Sequence, residues 1–401
     1  MKKIINNLKY IKLIDIFSFF IFILMVIPAL IYKIYLKIIN KKIWLICEDG
    51  HTARDNGYHL FKYIRVNHKE DNVYYVIDKK SNDYKKVKKY GNIINYASLK
   101  HWLYYMACDK NISSQKCGNP NPAVFYVVHI WFRLYNNRIF LQHGITKDDS
   151  KWLYYPNTKF KLFICGAKKE YDYVKNHFGY PSENIAYLGF PRFDNLYNNK
   201  VDAKQILIMP TWRNWLGRDT NSLVKNEEFI KTKYYKKWNS LLNNETLIKY
   251  VEKNNINIVF LPHINMRHYL KDFNSSSKNI KIADYTTDIQ KLLKSSALLV
   301  TDYSSVYMDF AYMSKPIIYY QFDSTEYRKK QLQEGYFKYS KDAFGKVIKD
   351  EEDLVNRIIG YIKMDYKIET MYQNRIDKFF ELKDQNNCRR IYEYLGKSYE
   401  K

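Results

Sequence analysis

Five short polar turns, each following an apolar run, carry the side chains best placed for chemistry in this 401-residue chain. The most informative is Thr301-Asp302-Tyr303-Ser304-Ser305, which follows ALLV and precedes the helically spaced stretch Val306 to Met313. A strand, a tight turn and a helix start bring Ser hydroxyls and unpaired N–H groups together, and such groups bind phosphate oxygens. An ordinary N-cap uses the same residues, so the turn alone leaves both readings open. Gln142-His143-Gly144 ends the run RIFLQ. A His at a strand end, with Gly relieving backbone crowding, can reach into a cleft as a general base. A hydrogen-bonded structural His is the plainer role. Lys147, four residues on, is in reach of a phosphate. Leu261-Pro262-His263 is the matching turn farther along, made cationic by Arg267 and His268. Pro210-Thr211-Trp212-Arg213 follows QILIM, and the planar fork of an Arg suits two phosphate oxygens; a surface Arg beside a core Trp is the alternative. Gly189-Phe190-Pro191-Arg192 reads as a hinge or turn.

Turns of this kind converge only if the strands before them end on one side. Runs rich in Ile, Val, Leu and aromatics occur at 43–47, 73–77, 92–95, 111–114, 138–142 and 161–165. After Gly189 they restart at 205–209, 256–261, 279–283, 297–301 and 316–320. Helix-like stretches lie between them, among them Asn56–Val66, Ala167–Phe178, Asn244–Lys253, Asp288–Ser295 and Ser304–Met313. Strand and helix alternating in two blocks predict an α/β fold of two doubly wound, Rossmann-like parallel sheets. The expected division is 43–200 and 201–348, with helices of 349–401 packing back across both. Ligands of such sheets sit beyond the carboxyl ends of the strands, so two facing sheets make one cleft.

Residues 1–42 differ from the rest. Ile16 to Tyr32 is uncharged, and residues 1–42 hold eight Lys against one Asp, a net of +7. Lys2, Lys3, Lys9 and Lys12 flank the apolar run on one side, and Lys33, Lys37, Lys41 and Lys42 on the other. The run is short for a span and contains Pro28, so a helix in the membrane interface, its Lys on anionic headgroups, is the expectation. Over the whole chain the formal charge is +25, which suggests an anionic partner, or in part the residue usage of AT-rich coding sequence. An aromatic share of 17% argues against disorder. The five Cys are scattered and read as reduced packing residues. GxGxxG, Walker, HExxH, GxSxG and DxD patterns are absent, as is any zinc-ligand or nucleic-acid-binding signature.

The stretch from Asp284-Tyr285 through LLKSSALLVTDYSSVYMDFAYMSKPIIYYQFD resembles the CDP-glycerol glycerophosphotransferase family, the primases and polymerases of teichoic-acid and related polymers. ILIMPTWR, GFPRFD and the His-Gly turn are similar to its other blocks, and the likeness covers roughly residues 43–345. The resemblance implies a GT-B fold on the cytoplasmic face of the membrane. It also implies a CDP-glycerol or similar CDP-polyol donor and a lipid-linked saccharide or polyol-phosphate acceptor. Carried over by residue, His143 is the acceptor-side catalytic His, supported by Gly144 and Lys147. His263 lies near the donor pyrophosphate; Arg213, Ser304, Ser305 and Thr301 hold donor phosphates; Thr211, Asp302 and Asp309 support them. The sequence departs from the family where Gln142 and Ile145-Thr146 replace Trp and Thr-Pro around the His-Gly pair, and where Pro262 precedes His263 rather than following it. The residues require no cofactor and leave a divalent metal open. A GT-B glycosyltransferase using a nucleotide sugar and a non-enzymatic basic scaffold are the alternatives, and no nucleic-acid partner is expected.

Overall fold

Short runs dominated by Ile, Val, Leu and Tyr assemble into two parallel sheets in the computed structural model, which describes residues 11–116, 118–130, 136–197, 200–217 and 226–397. Lys2, Lys3 and Lys9 of the basic flank, and Cys117, lie outside the described residues. The first sheet comprises β1 (Trp44–Ile46), β2 (Val73–Ile77), β3 (Ile93–Asn95), β4 (Lys110–Ser113), β5 (Arg138–Phe140), β6 (Leu162–Cys165) and β7 (Ile185–Tyr187), ordered 3-2-1-4-5-6-7. In the second are β8 (Asp202–Ile208), β9 (Asn257–Phe260), β10 (Ile280–Ile282), β11 (Ser296–Thr301), β12 (Ile317–Tyr320) and β13 (Gly345–Ile348), ordered 10-9-8-11-12-13. Every pairing is parallel, so both faces are covered and strands such as β11 are buried at each residue. These are the two doubly wound sheets the alternation predicts and the GT-B architecture the resemblance implies.

Two strands carry too weak a signal to be expected. Strand β7 is three residues long and follows Pro181-Ser182-Glu183-Asn184. Strand β13 opens on a glycine, and Lys346 interrupts its apolar run. Packing supplies what propensity lacks there. Gly345 pairs with Ile317, and a Cβ on it would stand 1.8 Å from the Ile317 carbonyl oxygen, so only Gly fits that register.

The helices that matter below are α1 (Leu13–Ile38), α2 (Asn56–Asn67), α3 (Leu99–Ala107), α4 (Pro122–Ile130), α5 (Lys168–His177), α6 (Val306–Tyr312) and α7 (Asn387–Lys397). Apolar cores cover the sheets. One core of the second sheet includes Phe190, Phe193 and Leu196 from the connection between the sheets. Helix α7 returns to the first sheet, where Ile391 and Leu395 join its core. Asp194 fastens that return: its carboxylate accepts from the Asn387 N–H (2.9 Å) and the Cys388 N–H (2.8 Å), capping the helix.

Helix α1 extends the predicted apolar segment at both ends and runs through Pro28 for 26 residues. It is long and apolar enough to cross a membrane. One stripe packs sideways on the first domain through Phe22 on Trp102 of α3, Tyr32 on Tyr104, and Asp15 accepting from Asn121 just before α4. Its other face is bare, with Leu24 at 73% and Ile27 at 68% exposure. Cys47, Cys108, Cys165 and Cys388 are all free and buried.

Candidate active site

In each sheet the strand order reverses once, between β1 and β4 and between β8 and β11. The loops after these strands face each other across the cleft, as such switch points require of a ligand site. The turn after β5 comes up against the turn after β11: a Cβ built on Gly144 would lie 3.0 Å from Ser305 Oγ. His143 and the Ser304–Ser305 pair therefore occupy one place, although more than 150 residues separate them (about 160) in a chain whose loop-closure cost the two sheets absorb.

His143 is presented by a strained turn. Gln142 adopts a left-handed backbone (φ 62°), which a non-glycine residue holds only when its surroundings over-determine it. Those surroundings are polar and buried. Gln142 Nε2 donates to the Ile164 carbonyl (2.7 Å) and to Glu170 of α5 (3.0 Å), while its own carbonyl accepts from Asn56 Nδ2 (2.8 Å). The Glu170 carboxylate also accepts from the Thr146 and Gly166 N–H groups; burial still pushes its pKa up to about 7.

The imidazole is 73% exposed to the cleft, and its Nδ1 lies 2.5 Å from Asp55 Oδ2. With Nδ1–H donated to Asp55, Nε2 is the acceptor in the neutral ring, the tautomer a general base needs. The Asp55 charge raises the His143 pKa above its ordinary value against the opposing effect of burial. Burial alone would raise the Asp55 carboxyl, but the facing imidazole and the Arg192 guanidinium hold it below the usual carboxylate range. Asp55 is also the N-cap of α2, accepting from the Asn56 N–H (2.8 Å). Behind it Glu48 accepts from the Asp55 and Tyr58 N–H groups; burial, then the Asp55 charge, pushes Glu48 up to about 8.

Arg192 belongs to a buried 3₁₀ turn, Pro191–Asn195, and so does more than hinge the two blocks. Its Nη1 donates to Asp55 Oδ1 (3.0 Å) and to the His143 carbonyl (2.8 Å). Nε and Nη2 grip both oxygens of Asp309 on α6, each at 2.7 Å. Asp309, expected as a supporting residue, thus reaches the base through an arginine.

On the facing side the Thr301–Ser305 turn divides its labour. Thr301 Oγ1 donates to the Met209 carbonyl (2.7 Å) and is wholly buried, so its hydroxyl serves the sheet rather than the cleft. Asp302 accepts from the Thr211 N–H (2.8 Å) and the Tyr303 N–H (2.6 Å), tying this turn to the one after β8. Ser304 and Ser305 are the half-exposed residues of the motif. Helix α6 has only seven residues, so hydroxyls and turn backbone, not a helix dipole, are what the turn offers an anion.

Two expected cleft cations are relocated by the structure. Arg213 is fully buried, donating to Asp302 (2.9 Å) and Asp323 (2.7 Å), and these carboxylates raise its pKa against burial. It braces the Asp302 turn from behind. Lys147 is buried against Asp148, which also accepts from Arg328 (2.6 Å), in a seam between the two domains. His263 stays half-exposed; its Nδ1 accepts from the Asn265 N–H (3.2 Å), which puts the neutral ring's proton on Nε2. Thr211, in the turn after β8, is buried.

Asp55 and Arg192 were not among the expected site residues. Asp55 carries the signal of an N-cap before Asn56, and Arg192 that of a turn; their second roles depend on partners 88 and 117 residues away.

The family profile "CDP-Glycerol:Poly(glycerophosphate) glycerophosphotransferase" matches residues 30–397. The "Minor teichoic acid biosynthesis protein GgaB" of Bacillus subtilis (strain 168) is 40% identical over 374 residues, covering 90% of this chain and 40% of that protein. A "Teichoic acid poly(glycerol phosphate) polymerase" of the same organism is 27% identical over 83% of this chain and 45% of its own length. The chain therefore spans less than half the length of either curated relative. Among solved structures, the wall teichoic acid polymerase TagF soaked with CDPG superposes with a TM-score of 0.67 at 15% identity, over 93% of this chain and 98% of that one. A UDP-GlcNAc 2-epimerase from Neisseria meningitidis shares the fold at a TM-score of 0.51 and 12% identity, over 89% of this chain and all of that one (100%). With a profile match across both sheets and the cleft between them, the chain belongs to the CDP-glycerol:poly(glycerophosphate) glycerophosphotransferase family.

Proposed function

We propose that the protein transfers a polyol phosphate, glycerol phosphate first among them, from a CDP-activated donor to an acceptor hydroxyl at an anionic membrane surface. The Asp55–His143 pair facing Ser304 and Ser305 across the cleft carries this reading. The acceptor oxygen attacks the distal phosphorus of the donor, the bond from that phosphorus to the CMP oxygen breaks, and CMP leaves. His143 Nε2 takes the acceptor's proton, and Asp55 stabilises the imidazolium that forms. Ser304, Ser305 and His263 meet the donor phosphates. Arg213 contributes by holding Asp302, and through it the turn. Beyond this base, the protein contributes positioning and charge stabilisation to such a transfer. The acceptor is a lipid-linked saccharide or polyol phosphate, delivered where α1 lays its bare face on the cytoplasmic leaflet.

The test is CMP release by the purified full chain with CDP-glycerol or CDP-ribitol and a lipid-linked acceptor. Release is expected from the unsubstituted protein, and a loss of about 10²–10⁴-fold from His143→Ala. Full release by that variant removes the base from the scheme. The epimerase fold makes a nucleotide sugar the competing donor. Thermal stabilisation by UDP- or GDP-sugars, and none by CDP-alcohols, favours that second reading.

A further inference from the structure

The cluster around Arg192 joins the two sheets. Asp55 and His143 belong to the loops of the first, Asp309 to a helix of the second, and Arg192 to the connection between them. Four guanidinium N–H groups are spent here, on Asp55, on the His143 carbonyl and twice on Asp309. The two carboxylates and Arg192 are all buried, so removing the arginine strands both carboxylates, and its fork ties the groups into one unit. Two side chains lie within hydrogen-bond distance of the His143 Nδ1, Asp55 Oδ2 (2.5 Å) and Gln115 Nε2 (3.2 Å), and the His143 backbone carbonyl accepts from Arg192.

We infer that Arg192 is a positioning residue that makes the setting of His143 depend on the docking of the facing domain, through Asp309 on α6. Asp309 touches neither the imidazole nor Asp55, yet it holds the fork of Arg192 that does. With His143 neutral the four groups carry a net charge of −1, and a proton on His143 brings them to neutrality. When the domains part, Asp309 withdraws and Arg192 is left to Asp55 and the His143 backbone carbonyl. The base is then set for the reaction only while the two sheets face each other. The kinetic arm of this inference rests on the proposed transfer; the spectroscopic arm does not.

The charged groups facing His143 are Asp55 at the start of α2, with Glu48 behind it, Arg192 in the 3₁₀ turn, and Asp309 on α6. The measurement is a ¹³C/¹⁵N NMR titration of the imidazoles in the full chain in nanodiscs, the His143 signal being assigned by His143→Gln. Asp309→Asn keeps the shape and removes the charge that offsets Arg192. His143 should then bind its proton about threefold to tenfold more weakly and titrate at lower pH, as coupled members of one network do. An unchanged titration overturns the inference. In turnover, Asp309→Asn and Arg192→Lys should lower kcat about tenfold while KM for CDP-glycerol moves less than twofold. A KM effect with kcat intact makes Asp309 a donor ligand instead, and also overturns it. Arg192→Ala strands two buried carboxylates and is not expected to fold, so Asp309→Asn is the deciding variant. If no CDP-polyol is turned over, the transfer reading falls while the titration still decides the coupling.

Discussion

The residue that governs this site is one whose chemistry is invisible in its own neighbourhood. Asp55 caps α2 and at the same time faces His143, and only the second role enters the proposed transfer. The His-Gly pair at a strand end singled out His143 as a candidate, with a structural His as the plainer reading; its partner Asp55 gave no such signal, because an Asp before a helix is fully explained as a cap. Arg213 shows the opposite error. An Arg at a strand end reads as an anion binder, but Asp302 and Asp323 reach it first and bury it. The Asp55 pair fixes a sign for the pH dependence. A base must be unprotonated, and Asp55 raises the His143 pKa, so the acid limb of kcat/KM should lie above the ordinary imidazole value of about 6.5. In Asp55→Asn that limb moves to lower pH, while the plateau falls because the tautomer is no longer held. A limb that stays in place in this variant would remove Asp55 from the base.

At the scale of elements, the strands and the loops that end them were readable from short apolar runs, and the turns between them carried the family's motifs. Strands β7 and β13 were not: Ile-Ala-Tyr after a polar turn and a glycine-led run broken by Lys346 carry little strand signal of their own. What no local pattern announces is that the His-Gly turn and the Ser-Ser turn touch. Gly144 is where this contact becomes testable. Its Cβ would stand 3.0 Å from Ser305 Oγ, so Gly144→Ala forces Ser305 back by a few tenths of an ångström. Steady-state kinetics should show KM for the CDP donor raised several-fold, with folding stability lowered by no more than about 1–2 kcal/mol, the ordinary range for a small steric change. Unchanged donor KM would mean that Ser305 does not meet the donor.

At the scale of the whole molecule, two facing sheets follow from the alternation, while their closure depends on contacts of long range: Asp194 capping α7, and Arg192 and Asp148 bridging the domains. Helix α1 lies along the flank of the first domain rather than projecting from it. Packed in this way, it can enter a bilayer only as far as α3, which carries Lys100, can follow, and that favours an in-plane attachment. Replacing Ile23, Leu24 and Ile27 together by Glu on the bare face should release the protein from vesicles of anionic lipid in a sedimentation assay. Those side chains are 51%, 73% and 68% exposed, so each change should alter stability by about 0.5 kcal/mol or less. Undiminished pelleting of the triple variant would place the attachment elsewhere.

The buried ion clusters give the charges of this chain two different responses to salt. Lys33 and Lys37 lie in the last turns of α1 and Lys41 and Lys42 just beyond it, where their pull on a surface decays within a Debye length of about 8 Å at physiological ionic strength. Arg192 and Arg213 meet their carboxylates out of the solvent's reach, where mobile ions screen little. Raising ionic strength therefore loosens the grip on an anionic surface well before it loosens the clasp around the base. Under the proposed attachment to an anionic surface, ionic strength is a way to detach the protein with the Arg192 cluster still assembled.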